Sequence, residues 1–355
     1  MARLNLVPTI LGLVFFLCAT GCNHGVDLSP DGKTIVETSG QGVTIRDVNG
    51  KRPDLTLKFD ASDSPKFSPD GKSIAIEHQT GTILIHSDGS RMFKVPAVKG
   101  PYAWRPDGSE LLGFDQSEAK VIHLRSKSIV RKYNLSMQPT MAAWLGNSRD
   151  FVAADSHKLI VIHEGKILSR QATGTVNLVA FDEQRRRILW CEMFDFPNMK
   201  PFQPTMVEIH ASDLKLKNVE TILERTSAQD VLCEKNRYVM PVSVAISPDG
   251  QQLATTGIVC VSKPGVIERY EALGGFNQTK TTPSVERKLK ALEKQINLQS
   301  VCTVIRLAGP RRIATQRFAR VGTDAFIFPF WSGDSRDVRV VMDHKVYATT
   351  KVQFK

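Results

Sequence analysis

The sequence predicts an all-β fold: a β-propeller of seven four-stranded blades with one helical insertion in the sixth. Three observations carry this expectation. A tight-turn motif returns seven times, an apolar residue stands at two fixed offsets from each copy, and uninterrupted copies lie about 40 residues apart, the length of a propeller blade.

The clearest copy is Ser64-Pro65-Lys66-Phe67-Ser68-Pro69-Asp70-Gly71-Lys72-Ser73-Ile74-Ala75-Ile76. Pro69 presets the φ of a turn's second residue, Asp70 can bond its own backbone, and Gly71 takes φ > 0 without steric cost. The apolar flanks then supply two antiparallel strands. Aligned on the large apolar residue before each turn, Leu28, Phe67, Trp104, Trp144, Phe181, Ile246 and Trp331 fall into register. Six residues after each turn's first member come Ile35, Ile74, Leu111, Phe151, Ile188, Leu253 and Val338, all apolar. The turns begin at residues 29, 68, 105, 145, 182, 247 and 332, so they stand 39, 37, 40, 37, 65 and 85 residues apart. A second recurrence, Ile45-Arg46, Ile85-His86, Ile122-His123, Ile162-His163, Ile209-His210 and Ile305-Arg306, marks the third strand of each blade. A two-sheet sandwich would not impose a fixed period. Six or eight blades are the alternative counts.

Taken in order, the chain opens on a leader. Arg3 precedes an apolar run from Leu4 to Leu17 that ends in small residues, as in a secretory signal peptide. Ala19-Thr20-Gly21 before Cys22 resembles a bacterial lipobox. That resemblance implies cleavage before Cys22, a lipid on its sulfur, and a membrane-anchored lipoprotein of the cell envelope with its propeller on the periplasmic or outer side. An ordinary signal peptide or an uncleaved anchor would equally export the chain. The expected organisation is a leader at 1–21, a lipidated tether at 22–24, and a propeller over 25–355 with insertions at about 195–204 and 262–300.

The turn motif with its strands resembles the WD40-like repeats of TolB-type periplasmic propellers, most closely at Phe67 to Ile76, Trp104 to Leu112 and Ile246 to Ala254. The resemblance implies a propeller and an interaction role, and it specifies no partner. The amino-terminal α/β domain of TolB proteins has no room before the first blade. The hydrolase domain of prolyl-oligopeptidase-like propellers is not expected either, because no G-x-S-x-G elbow occurs.

The insertions interrupt this regularity. In the fifth blade, residues 195–204 hold three prolines with Phe196 and Phe202. In the sixth, residues 283–296 place Val285, Leu289, Leu292 and Ile296 at helical spacing, with Arg287, Lys288, Lys290 and Lys294 among the polar positions. Such a helix either lies as a lid, its apolar stripe on the propeller, or meets anionic headgroups. Both insertions join second and third strands, so they should share a face of the ring with the chain's start. Phe196, Phe202, Arg287, Lys288, Lys290 and Lys294 are therefore the candidate partner-binding residues.

Four cysteines follow Cys22, and export favours disulfides. Cys260–Cys302 at the base of the insertion is one expected pair and Cys191–Cys233 the other. The formal net charge of +11 is scattered apart from Arg185-Arg186-Arg187 and the later helix, so a nucleic-acid groove is not expected. His86, His123, His163 and His210 stand in consecutive blades, too far apart for one metal. The turn aspartates Asp31, Asp70, Asp107 and Asp249 are explained by turn geometry. No cofactor, metal or catalytic set is expected. The functional expectation is a non-catalytic scaffold that binds another envelope protein. The alternative is an envelope propeller enzyme acting on carbohydrates or lactones.

Overall fold

Three copies of the turn motif, at Ser29, Ser68 and Ser247, close their hairpins through a serine. We describe a computed structural model covering residues 25–351, except 40–41, 60, 62–64, 91–92, 97, 195–205, 225–238, 248, 264, 274–281, 308–310, 319–326, 332–336 and 343–344. In it, Ser29 Oγ donates to Asp31 Oδ1 (2.7 Å) and accepts from the Thr34 N–H (2.9 Å). Ser68 does the same with Asp70 and Ser73, and Ser247 with Asp249 and Gln252. The glycine of each turn donates its N–H to the serine carbonyl at a φ of 66 to 70°. One hydroxyl thus fixes both the turn and the first rung of the following hairpin.

The two apolar markers of each repeat face one another. Leu28 pairs with Ile35, Phe67 with Ile74, Trp104 with Leu111, Trp144 with Phe151, Phe181 with Ile188, Ile246 with Leu253 and Trp331 with Val338. The fixed offset in the sequence is therefore a cross-strand pair, repeated in seven sheets.

Each sheet is antiparallel with neighbouring strands in chain order. The first holds β1 (Val26–Leu28), β2 (Thr34–Ser39), β3 (Gly42–Asp47) and β4 (Leu55–Leu57). The second holds β5 (Lys66–Phe67), β6 (Ser73–His78), β7 (Gly81–His86) and β8 (Phe93–Pro96). The third holds β9 (Lys99–Trp104), β10 (Glu110–Asp115), β11 (Glu118–His123) and β12 (Ser128–Asn134). The fourth holds β13 (Met141–Trp144), β14 (Phe151–Ala154), β15 (Lys158–His163) and β16 (Lys166–Gln171). The fifth holds β17 (Thr175–Asp182), β18 (Arg187–Phe194), β19 (Met206–Ser212) and β20 (Val219–Leu223). The sixth holds β21 (Val239–Ile246), β22 (Gln252–Val261), β23 (Asn297–Arg306) and β24 (Arg311–Phe318), with helices α1 (Val266–Ala272) and α2 (Pro283–Glu293) between its middle strands. A last sheet has three strands among the described residues: β25 (Ile327–Trp331), β26 (Asp337–Met342) and β27 (Lys345–Lys351).

Among the described residues the molecule is thus a propeller with six four-stranded blades, the lower alternative to the seven that the sequence predicts. The C-terminal repeat forms the three-stranded sheet, which packs between the sixth blade and the first. Trp331 Nε1 donates to the Ala245 carbonyl of the sixth blade (3.0 Å), and Val341 and Phe330 pack on Leu28 and Ile35 of the first. Arg339 adds a bond to the Asp31 carbonyl.

The core lies between blades, because each sheet can bury its apolar faces only on its neighbours. Trp144, Phe151 and Ile160 of the fourth blade interlock with Leu112, Phe114 and Val121 of the third. Similar clusters join first to second, second to third, fourth to fifth and fifth to sixth. Tryptophans at the end of first strands add a polar tie: Trp104 Nε1 donates to the Lys66 carbonyl (3.0 Å) and Trp144 Nε1 to that of Ala103 (2.8 Å).

The expected Cys260–Cys302 bridge does not form. In the hairpin of β22 and β23, Cys302 stands opposite Thr256 and Cys260 opposite Leu298. Four residues of offset separate the two by about 13 Å along the strands, whereas bridged Cα atoms lie within about 7 Å. Cys191 and Cys302 are free and buried, and Cys233, the other half of the second expected pair, lies outside the described residues. Burial pushes both thiols up to about 12. Cys191 and Cys302 should therefore resist alkylation in the native protein and label fully in denaturant. Labelling at free-thiol rates without denaturant would contradict their burial.

Candidate functional site

First strands from several blades converge on one central channel. At the turn end, Leu28, Phe67, Trp104, Trp144, Ile246 and Trp331 ring a cavity of about 530 Å³. At the opposite end, four blades line a wider one of about 840 Å³. Lys66, Tyr102 and Ala142 line both cavities, so they stand where the two meet. There Lys66 Nζ lies 3.2 Å from Asp27 Oδ1, and the other oxygen of Asp27 accepts the Phe67 N–H at 2.7 Å.

The wider mouth carries the functional expectations. In an antiparallel blade, the start of the first strand and the connection from second to third open at the same end. The stretch between β18 and β19 and the helices between β22 and β23 therefore emerge on the face where β1 begins. Around this mouth, Gln116, Gln138, Thr140 and Asn177 are exposed above a floor of Met141, Leu178 and Val179. The nearby charges are already paired. Glu77 accepts the Gly100 N–H (2.9 Å), and Asp115 receives Lys120 Nζ (2.6 Å). A glycosidase or lactonase would gather three acids at one channel end. Among the described residues, Glu77 and Asp115 line this cavity and Asp27 the other. No group of three His, Cys, Asp or Glu able to hold a metal occurs among the described residues.

The helices do not form the expected lid. Val285, Leu289, Leu292 and Ile296 pack on Val266, Tyr270 and Leu273, so α2 buries its stripe against α1. Thr282 caps α2 by accepting the Val285 N–H, with Pro283 following it. Arg287, Lys288, Lys290 and Lys294 are all exposed. Cys22, Phe196 and Phe202 lie outside the described residues. No helix among the described residues is long and apolar enough to cross a membrane.

His210 departs from the expected repeat. His123 stands opposite Glu110 and His86 opposite Ser73, while His163 Nδ1 bonds Asp150 at 2.8 Å. In each case the partner just precedes the second-strand marker. In the fifth blade the register has slipped three places: Ile188 pairs with Ser212, and His210 pairs with Trp190. The imidazole stacks on the Trp190 indole, centroids 5.1 Å apart and planes at 28°. Glu192 beside it accepts Trp190 Nε1 (2.8 Å), the Thr173 N–H (3.0 Å), the Thr173 hydroxyl (2.8 Å) and the Gly174 N–H (2.7 Å). His210 Nε2 lies 3.4 Å from Glu208 and 3.7 Å from Glu192. This buried cluster sits on the β18–β19 pair, and a carboxylate in the apolar run Ile188 to Met193 was the only sequence signal for it. Of the triple arginine only Arg187 is partly buried, and both it and the exposed Arg185 pair with the fully buried Asp182.

Comparison with known proteins places the fold. No protein-family model and no curated protein matches the chain. Among solved structures, hydrazine synthase of Kuenenia stuttgartiensis is 16% identical with a TM-score of 0.58, over 92% of this chain and 95% of that one. A chain of a mitotic checkpoint complex is 10% identical with a TM-score of 0.56, over 91% and 87%. A protein described as TolB from Agrobacterium tumefaciens is 16% identical with a TM-score of 0.39, over 56% and 79%. The first two likenesses span nearly the whole chain and establish the shared fold. One belongs to an enzyme and the other to an assembly, so the fold leaves function to the site.

Proposed function

We propose that this propeller is a non-catalytic scaffold of the cell envelope, tethered by a lipid on Cys22 and binding another envelope protein through its insertion-bearing face. A single observation carries the reading: both interruptions of the repeat join second and third strands, connections that open at the end of the ring where the first strands begin. There the acids are bonded to their own neighbours, while amides and hydroxyls remain exposed over an apolar floor. Such a surface suits contact better than proton transfer, which needs a carboxyl able to exchange its proton with a substrate. Phe196, Phe202 and Lys288, which stands off the outer row of α2, extend it. TolB-like interaction chemistry and a ring closed by the C-terminal sheet as a seventh blade belong to the same reading.

The test is capture of partners from envelope membranes. Replacing 263–299 by a short turn between β22 and β23 should leave the ring folded and abolish recovery of the specific partner. Unchanged recovery would remove the helical insertion from the binding surface. Hydrolysis of a glycan or lactone by the purified chain would favour the enzymatic reading instead.

A further inference from the structure

We infer that the outer row of α2, Arg287, Lys290 and Lys294, docks on an anionic phospholipid surface. The helical repeat places these three within an arc of about 60°. Val285, Leu289, Leu292 and Ile296 occupy the opposite side, and Glu286 and Glu293 lie on one flank. The apolar side is occupied by α1, through Val266 and Tyr270. The row therefore points away from the helix pair, and all three cations are exposed. Lys290 pairs along the helix with Glu286 at 2.8 Å, which keeps its ammonium at the surface.

Two consequences follow from this packing. With its apolar stripe already buried, α2 cannot sink into the acyl region as an interfacial helix does. It can only lie on headgroups and attract them by charge, each cation near such a surface strengthening binding about fivefold. The row spans about 10 Å along the axis, within the range over which the field of an anionic leaflet acts. Topology adds the direction, since the helices leave the ring on the face where β1 begins. The inference rests on the lipid-anchored reading: a chain tethered just before β1 holds this face toward the bilayer, and α2 would set its orientation there.

Amine acylation of the full chain on vesicles, read by mass spectrometry, tests this. Vesicles of phosphatidylcholine with and without phosphatidylglycerol are the probes, and Lys51 at the turn end is the internal reference. Lys290 and Lys294 should label about fivefold more slowly on the anionic vesicles only, with protection lost in high salt and Lys51 unchanged. The variant R287Q/K290Q/K294Q should lose the anionic preference at an unchanged thermal midpoint. Equal labelling on both vesicle types overturns the inference while leaving the tether intact. Protection that appears only with an envelope protein also overturns it, assigning the row to that partner. If the chain associates with neither vesicle type, the tether reading fails together with this one.

Discussion

Replacing Trp144 by alanine is expected to cost about 3–5 kcal/mol of stability, the range for emptying a buried aromatic site. Trp144 is only 5% exposed and fills the seam between third and fourth blades. Its indole meets Phe151 edge-on at 6.1 Å, and the Arg131 guanidinium lies 5.6 Å from the ring centroid. Its Nε1 donates to the Ala103 carbonyl across the seam. Trp144→Phe keeps most of the contact but orphans that carbonyl, so it should cost about 1–2 kcal/mol. Val130→Ala, at a side chain 46% exposed, should change little. Urea unfolding of the three variants checks the order. Equal losses for Trp144→Ala and Val130→Ala would mean that this seam does not hold the ring.

The same tryptophan shows what the sequence could reveal. Trp144 and Phe151 are seven residues apart, and their pairing follows from a local turn, Leu145-Gly146-Asn147-Ser148, in which Gly146 takes a φ of 66°. The bond to Ala103 was invisible because its acceptor is backbone in another blade. The serine of the turn is equally illegible in sequence: its hydroxyl joins the Asp31 carboxylate and the Thr34 N–H at once, a role that residue preference alone does not display. His210 misled for a related reason. The dipeptide Ile209-His210 copies the other third strands in sequence, but β19 pairs with β18 three places out of the usual register, which sets His210 opposite Trp190. Cys260 and Cys302 failed on register: β22 and β23 pair over ten residues each, leaving one cysteine near the open end and the other well inside. Helix α1 left a short trace, Val266, Tyr270 and Leu273 at helical spacing, within an excursion that hid it. The exposed groups around the wide mouth carry no motif, since topology and not spacing collects them.

The Glu192 cluster should make the fifth blade sensitive to acid in two separable steps. Burial raises the Glu192 pKa, but the bonds from Trp190, Thr173 and Gly174 and the nearby His210 outweigh it, holding it below the usual 4.5. A depressed carboxyl contributes stability above its unfolded pKa and loses it as pH falls through the folded value. Burial pushes His210 down from 6.5 against the pull of Glu192 and Glu208, with Arg170 adding to the depression. The folded protein therefore favours neutral imidazole, and stability declines as pH drops below about 6.5, before the carboxylate is reached. His210→Gln should remove the upper step and leave the lower one, and Glu192→Gln the reverse. Glu192→Ala strands four donors in a buried site and is expected to cost about 3–5 kcal/mol at neutral pH. Thermal melts from pH 7 to pH 4 on the three variants decide it. An upper step that persists in His210→Gln would assign the titration to another group, and a mild Glu192→Ala would mean that the loop at Thr173 and Gly174 finds water in its place.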